Sequence, residues 1–110
     1  MEIVYKNDGT YTDFALSGTL LSFRGGDLTL DLAALERDYP VSVTVSEDYN
    51  GRLTTGASKR YVAEIDIPAR QSVVEKTGVA DNIGFPVLRR VYTRLSTDNI
   101  VLTLWAVREE

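Results

Sequence analysis

A mainly β fold is what this sequence predicts, on three observations. Val, Ile and Thr supply 28 of the 110 residues, and β-branched side chains pack well on a pleated surface. Apolar positions recur mostly with period two, the mark of half-buried strands. Turn-forming clusters interrupt those runs at the intervals an antiparallel sheet needs: Asn7-Asp8-Gly9, Gly25-Gly26-Asp27, Asn50-Gly51, Asp81-Asn82-Ile83-Gly84 and Ser96-Thr97-Asp98-Asn99. The expected architecture is a single antiparallel sandwich or partly open barrel of about seven to eight strands with at most one short helix, α+β being the alternative. A chain of 110 residues, 44% apolar and 25% charged, has the length and core material of one β-rich domain spanning 1–110.

The elements follow in order. Strands are expected near 2–6, 10–16 and 19–24. A short helix is expected over Leu32 to Asp38, where Leu28, Leu32, Leu35 and Tyr39 share a helical face, Asp31 caps the start and Pro40 closes the end. Val41-Ser42-Val43-Thr44-Val45-Ser46-Glu47 alternates so cleanly that its valines must face one side and its hydroxyls the other. Asn50-Gly51 predicts a two-residue type I′ turn, because both of its central positions need positive φ. A broken strand is then expected over 53–67, with Tyr61, Ala63, Ile65 and Ile67 inward, Glu64 and Asp66 outward, and Pro68 limiting further pairing. Further strands fall at 70–76, 87–95 and 100–107. The segment 86–95 also fits a helical stripe, but its β-branched and aromatic content favours a strand.

The last two runs carry the most specific expectation. A hairpin of 87–95 with 100–107 across Ser96-Thr97-Asp98-Asn99 pairs Leu95 with Ile100 and Val91 with Leu104 on a core face. Its other face pairs Arg94 with Val101, Tyr92 with Thr103 and Arg90 with Trp105, which stacks a guanidinium on the indole. Arg90, Tyr92, Arg94 and Trp105 therefore form the predicted binding surface, since aromatic rings and arginines are enriched at binding hot spots. The final strand is apolar on both faces, so something should cover Val101, Trp105 and Val107: the rest of the chain, a partner or a second copy.

Composition removes much of the usual chemistry. The chain has no Cys and no His, which excludes disulfides, thiolate nucleophiles, Cys/His zinc sites and histidine-based triads. A formal charge of −4 argues against nucleic acid as a partner. The acidity is N-terminal, and nine of the twelve basic residues are Arg. No phosphate loop, calcium loop or serine elbow is present; Thr55-Gly56-Ala57-Ser58-Lys59-Arg60 has the wrong spacing and no helix to follow it. Glu64 and Asp66, two apart on one strand, sit about 6.5–7 Å apart along the backbone, within reach of paired-carboxylate chemistry. Alternation on any exposed strand produces the same spacing. No secretory pattern opens the sequence, and the longest strongly apolar stretch, Ile100 to Val107, is far short of a membrane span.

The functional expectation is a non-catalytic interaction or assembly module, such as a homo-oligomeric or phage-like structural accessory protein, acting through a protein partner or self-association. A small-ligand or carbohydrate-binding β module is the alternative, with the tyrosines and Trp105 as stacking platforms. A hydrolase built on Glu64 and Asp66 comes third. No cofactor, metal, nucleic acid or membrane is expected, and the compartment expected is the cytoplasm.

Overall fold

The computed structural model describes residues 1–107. Their strands are β1 (Glu2–Tyr5), β2 (Phe14–Ser17), β3 (Leu20–Phe23), β4 (Leu28–Asp31), β5 (Val41–Glu47), β6 (Leu53–Thr55), β7 (Arg60–Ile67), β8 (Ser72–Ala80), β9 (Pro86–Tyr92) and β10 (Val101–Leu104). One helical turn, α1 (Leu32–Leu35), follows β4. The fold is mainly β, as expected, with more and shorter strands than the pattern suggested.

Two sheets build the body. One has the order β1-β10-β7-β5-β6 and the other the order β2-β3-β4. All pairs are antiparallel except β1 with β10, which run parallel. Leu21 and Phe23 from the small sheet and Val45, Ala63, Ile65, Ile67, Leu102 and Leu104 from the large one join a single fully buried cluster, with Leu32 of α1 and Ile100. The period-two reading holds over Val41–Val45 and Ala63–Ile67, where one face supplies the core and the other carries Ser42, Thr44, Glu64 and Asp66; beyond that it is corrected, since Tyr61, expected inward, is exposed and Ser46, expected outward, is fully buried. A register shift at Val45/Ser46 leaves Val62 as an extra residue between Tyr61 and Ala63.

Three local expectations are corrected. Residues 28–31 form a strand, not the approach to a helix. Leu28 and Leu30 pair with Phe23 and Leu21, so their spacing serves a pleated face. Asp31 does cap α1, accepting from the Ala33 N–H at 3.2 Å, but the helix stops after one turn because Glu36 is extended. The β5–β6 connection is a three-residue turn. The Gly51 N–H reaches the Asp48 carbonyl at 3.0 Å, while Asp48 Oδ1 accepts from the N–H groups of Asn50 and Arg52 at 2.8 and 2.9 Å. Gly51 alone takes the positive φ, +79°, the pattern of a type I turn ending in a left-handed glycine.

The largest departure is the fate of the last three strands. β9 pairs with β8, not with β10. β10 is taken up between β1 and β7, where Leu102 and Leu104 are buried in the core, and β9 is left to pair with β8 across the Asp81–Gly84 turn. That turn repeats the device of the body. The Gly84 N–H reaches the Asp81 carbonyl at 3.1 Å, Asp81 Oδ1 accepts from Ile83 and Phe85 at 3.0 and 2.9 Å, and Gly84 has φ +89°. β10, apolar on both faces, becomes an interior strand between β1 and β7. The β8–β9 hairpin forms its own two-stranded sheet and projects as an arm, so the molecule measures 68 × 23 × 22 Å.

Candidate interaction surfaces

The four residues of the predicted surface lie in two places. Arg90 is on β9 opposite Val74, and Tyr92 ends β9 opposite Ser72. Arg94 follows at the base of the arm, where a shallow cleft of about 360 Å³ is lined by Arg94, Tyr92, Arg70 and Glu36 among others. Trp105 follows β10 on the body, its backbone N–H held by the Val62 carbonyl at 3.0 Å. The predicted Arg90–Trp105 stack is therefore not formed, because the hairpin that would make it is not the pairing adopted. The indole instead meets the Tyr61 ring, with centroids 5.8 Å apart and planes inclined at 40°. Tyr92 takes a different guanidinium, that of Arg70, at 5.4 Å from the ring centroid.

Arg70 anchors the arm to the body. Its backbone N–H donates to the Arg37 carbonyl at 2.7 Å, and its guanidinium lies 3.6 Å from the carboxylate of Glu36, a residue only 7% exposed. A buried carboxylate left without its cation would be costly, so this contact specifies where the arm leaves the body. The Thr93 N–H donates to the Gln71 carbonyl at 3.0 Å and extends the pairing to the base.

Beyond that base the arm has no core. All its strand residues are exposed except Val91, which is half-buried. Eight of the exposed large hydrophobic side chains, Val73, Val74, Val79, Ile83, Phe85, Val87, Leu88 and Tyr92, belong to it. Its two faces differ. One carries Val73, Val91 and the ion pair of Glu75 with Arg89, at 2.7 Å and neutral as a unit. The other carries Val74, Leu88 and Tyr92 with Arg90 and Lys76, and no carboxylate in those paired rows.

The outer face of the large sheet is its counterpart in the body. Register places Glu2, Val101, Asp66 and Ser42 in one row and Val4, Thr103, Glu64 and Thr44 in the next. These rows hold three carboxylates and no cation. Ser42 Oγ donates to Asp66. Tyr61 and Trp105, with Glu64 and Thr44, line a small open cleft of about 230 Å³ on the same face. Among the described residues no group of three His, Cys, Asp or Glu side chains is arranged to hold a metal ion, and no helix is long and apolar enough to cross a membrane.

Comparison with protein-family models, with curated proteins and with solved structures finds no match for this chain. The functional reading therefore rests on these surfaces. Sequence reasoning missed Arg70 and the arm residues Val74, Lys76 and Leu88, and it counted Tyr61 among the stacking tyrosines without pairing it with Trp105. The Glu75–Arg89 pair could not be counted out from the Asp81–Gly84 turn, because the register shift between Lys76 and Ala80 moves Glu75 from opposite Val91 to opposite Arg89.

Proposed function

We propose that the protein is a non-catalytic assembly module whose β8–β9 arm is the connecting element. The observation that carries this reading is the arm itself. An isolated two-stranded hairpin is marginal in water, and one that exposes eight large apolar side chains has more to gain from a partner surface than from solvent. The aspartate-closed turn, the bulge at Gly78 (φ +81°) and the Arg70 anchor define the arm's shape before it meets a partner, which lowers the ordering cost of association.

The reading predicts that the chain associates with concentration when followed by size-exclusion chromatography with light scattering. V74S combined with L88S should abolish association without lowering the thermal midpoint, since neither side chain is in the core. A chain that stays monomeric at every concentration, with arm amides exchanging freely throughout, would overturn it.

The Tyr61–Trp105 cleft supports a second reading, a small-ligand or carbohydrate-binding module, because paired rings beside a carboxylate and a hydroxyl suit a sugar face and its hydroxyls. Trp105 is the only tryptophan, so its emission reports directly on the cleft. Saturable quenching by simple oligosaccharides, lost in Y61A, is the expected result; no change with any sugar removes this reading.

A further inference from the structure

Building on the assembly reading, we infer that the arm's partner is a second copy of this chain, and that the cationic face of the arm docks on the acidic outer face of the five-stranded sheet. Charge is distributed between the two surfaces in the sense this requires. Residues 70–94 hold five Lys and Arg against two Asp and Glu, a net charge of +3. The rest of the chain holds seven against fourteen, a net of −7. The chain is thus self-complementary between its arm and its body, and not between two arms or two bodies.

The match extends to individual groups. Arg90 is opposite Val74 and Lys76 is opposite Leu88, so the two cations are diagonal neighbours on one face, about 7–8 Å apart at the backbone. Glu64 and Asp66 are two residues apart on β7, about 6.5–7 Å, and both face outward. A pair of cations therefore meets a pair of carboxylates at nearly equal spacing. Glu2, in register with Val101 and so with Asp66, adds a third carboxylate at the edge of the patch. The apolar parts also correspond. Leu88, Val74 and the Tyr92 ring on the arm face Val4, Val101 and the half-exposed rings of Tyr61 and Trp105 on the sheet.

Reach permits the contact between copies. β8 is nine residues long, roughly 30 Å at about 3.3 Å per residue, which exceeds the 22–23 Å short dimensions of the molecule. An arm can therefore cross the whole five-stranded face of a neighbour. Arm and sheet face are different patches, so each copy offers one of each. The assembly closes if two copies exchange arms and propagates if they do not.

Sedimentation velocity of the full chain at low and high salt, with charge-reversed variants, tests this. K76E combined with R90E should weaken self-association at least about tenfold, and E64K combined with D66K should do the same. Mixing the two reversed variants should restore association between them while each alone stays monomeric. E75Q combined with R89Q, on the opposite arm face, should leave the affinity unchanged. The Trp105 emission should shift to shorter wavelength as the wild-type chain associates. Association that is lost in V74S/L88S but unaffected by E64K/D66K would overturn this docking surface while leaving the assembly reading intact. A wild-type monomer at every concentration would overturn both, as would a chain that binds anionic phospholipid vesicles through its arm without associating with itself.

Discussion

The β5–β6 hairpin of the body and the β8–β9 hairpin of the arm are closed by the same device, and they fare differently. In each an aspartate accepts two backbone N–H groups two and four residues on, and a glycine three residues on takes the left-handed conformation. Yet β5 buries Val45 completely against the core, while β8 buries nothing. The same turn chemistry thus closes both hairpins, and what surrounds the strands decides how stable each is. The body's hairpin is one edge of a five-stranded sheet backed by another. The arm's hairpin has only its own ladder, its ion pair and its anchor at Arg70.

Body and arm should differ most at the core. F23A removes a ring that is 0% exposed and should cost about 3–5 kcal/mol, a drop of tens of degrees in the thermal midpoint at about 4–8 °C per kcal/mol. L88A, at a site 56% exposed, should leave that midpoint unchanged within error. Thermal unfolding by circular dichroism of both variants decides the matter, and a large loss from L88A would mean that the arm packs on the body.

A smaller and more discriminating contrast comes from the turns. G51A and G84A impose the same conformational penalty, about 1–2 kcal/mol for a side chain in the left-handed region, with no steric obstacle at either site. In G51A the penalty should appear in global unfolding. In G84A it should appear only as faster hydrogen exchange in β8 and β9, because an arm that opens on its own reports local rather than global stability. Equal loss of midpoint in both variants would show that arm and body unfold as one unit.

What the sequence makes legible follows from the same distinction. Alternation identified β5 and β7, because period two is a local property, while the arm strands rested on β-branched and aromatic content between turn signals. The two-sided apolarity of Val101 to Leu104 was legible too, and its physical meaning is an interior strand with neighbours on both sides. Pairing was not legible, since β9 faced two candidate partners across turns of similar length and the five-stranded sheet took in β10 between β1 and β7. Nor was β4, because Leu28 stands four residues before Leu32 and so also fits its helical face. The Tyr61–Trp105 contact depends on the extra residue at Val62, a one-residue irregularity that reverses the face of everything beyond it and leaves no mark in composition. The residues of the predicted surface are accordingly divided between arm and body, Arg90 and Tyr92 on one side and Trp105 on the other.

The smallest expected effect concerns the Glu75–Arg89 pair. At 2.7 Å, with side chains 46% and 65% exposed, it is a surface ion pair of the kind that contributes about 0–1 kcal/mol. In the body such a pair would be masked by the burial of the core. In the arm it is one of few interactions between the strands other than the ladder, alongside Val73 against Val91 and the hydroxyl of Thr77 on the Val87 carbonyl at 3.0 Å. E75Q should therefore leave the thermal midpoint untouched and still raise exchange rates measurably in the middle of β8 and β9. The increase should be reproduced in the wild-type chain by high salt, which screens an exposed pair. Exchange in β5 and β6 should not respond to either change. An arm insensitive to both would mean that the backbone ladder and the apolar cross-strand contacts alone hold the hairpin, leaving Glu75 to neutralise Arg89 and confine the unpaired positive charge to the other face.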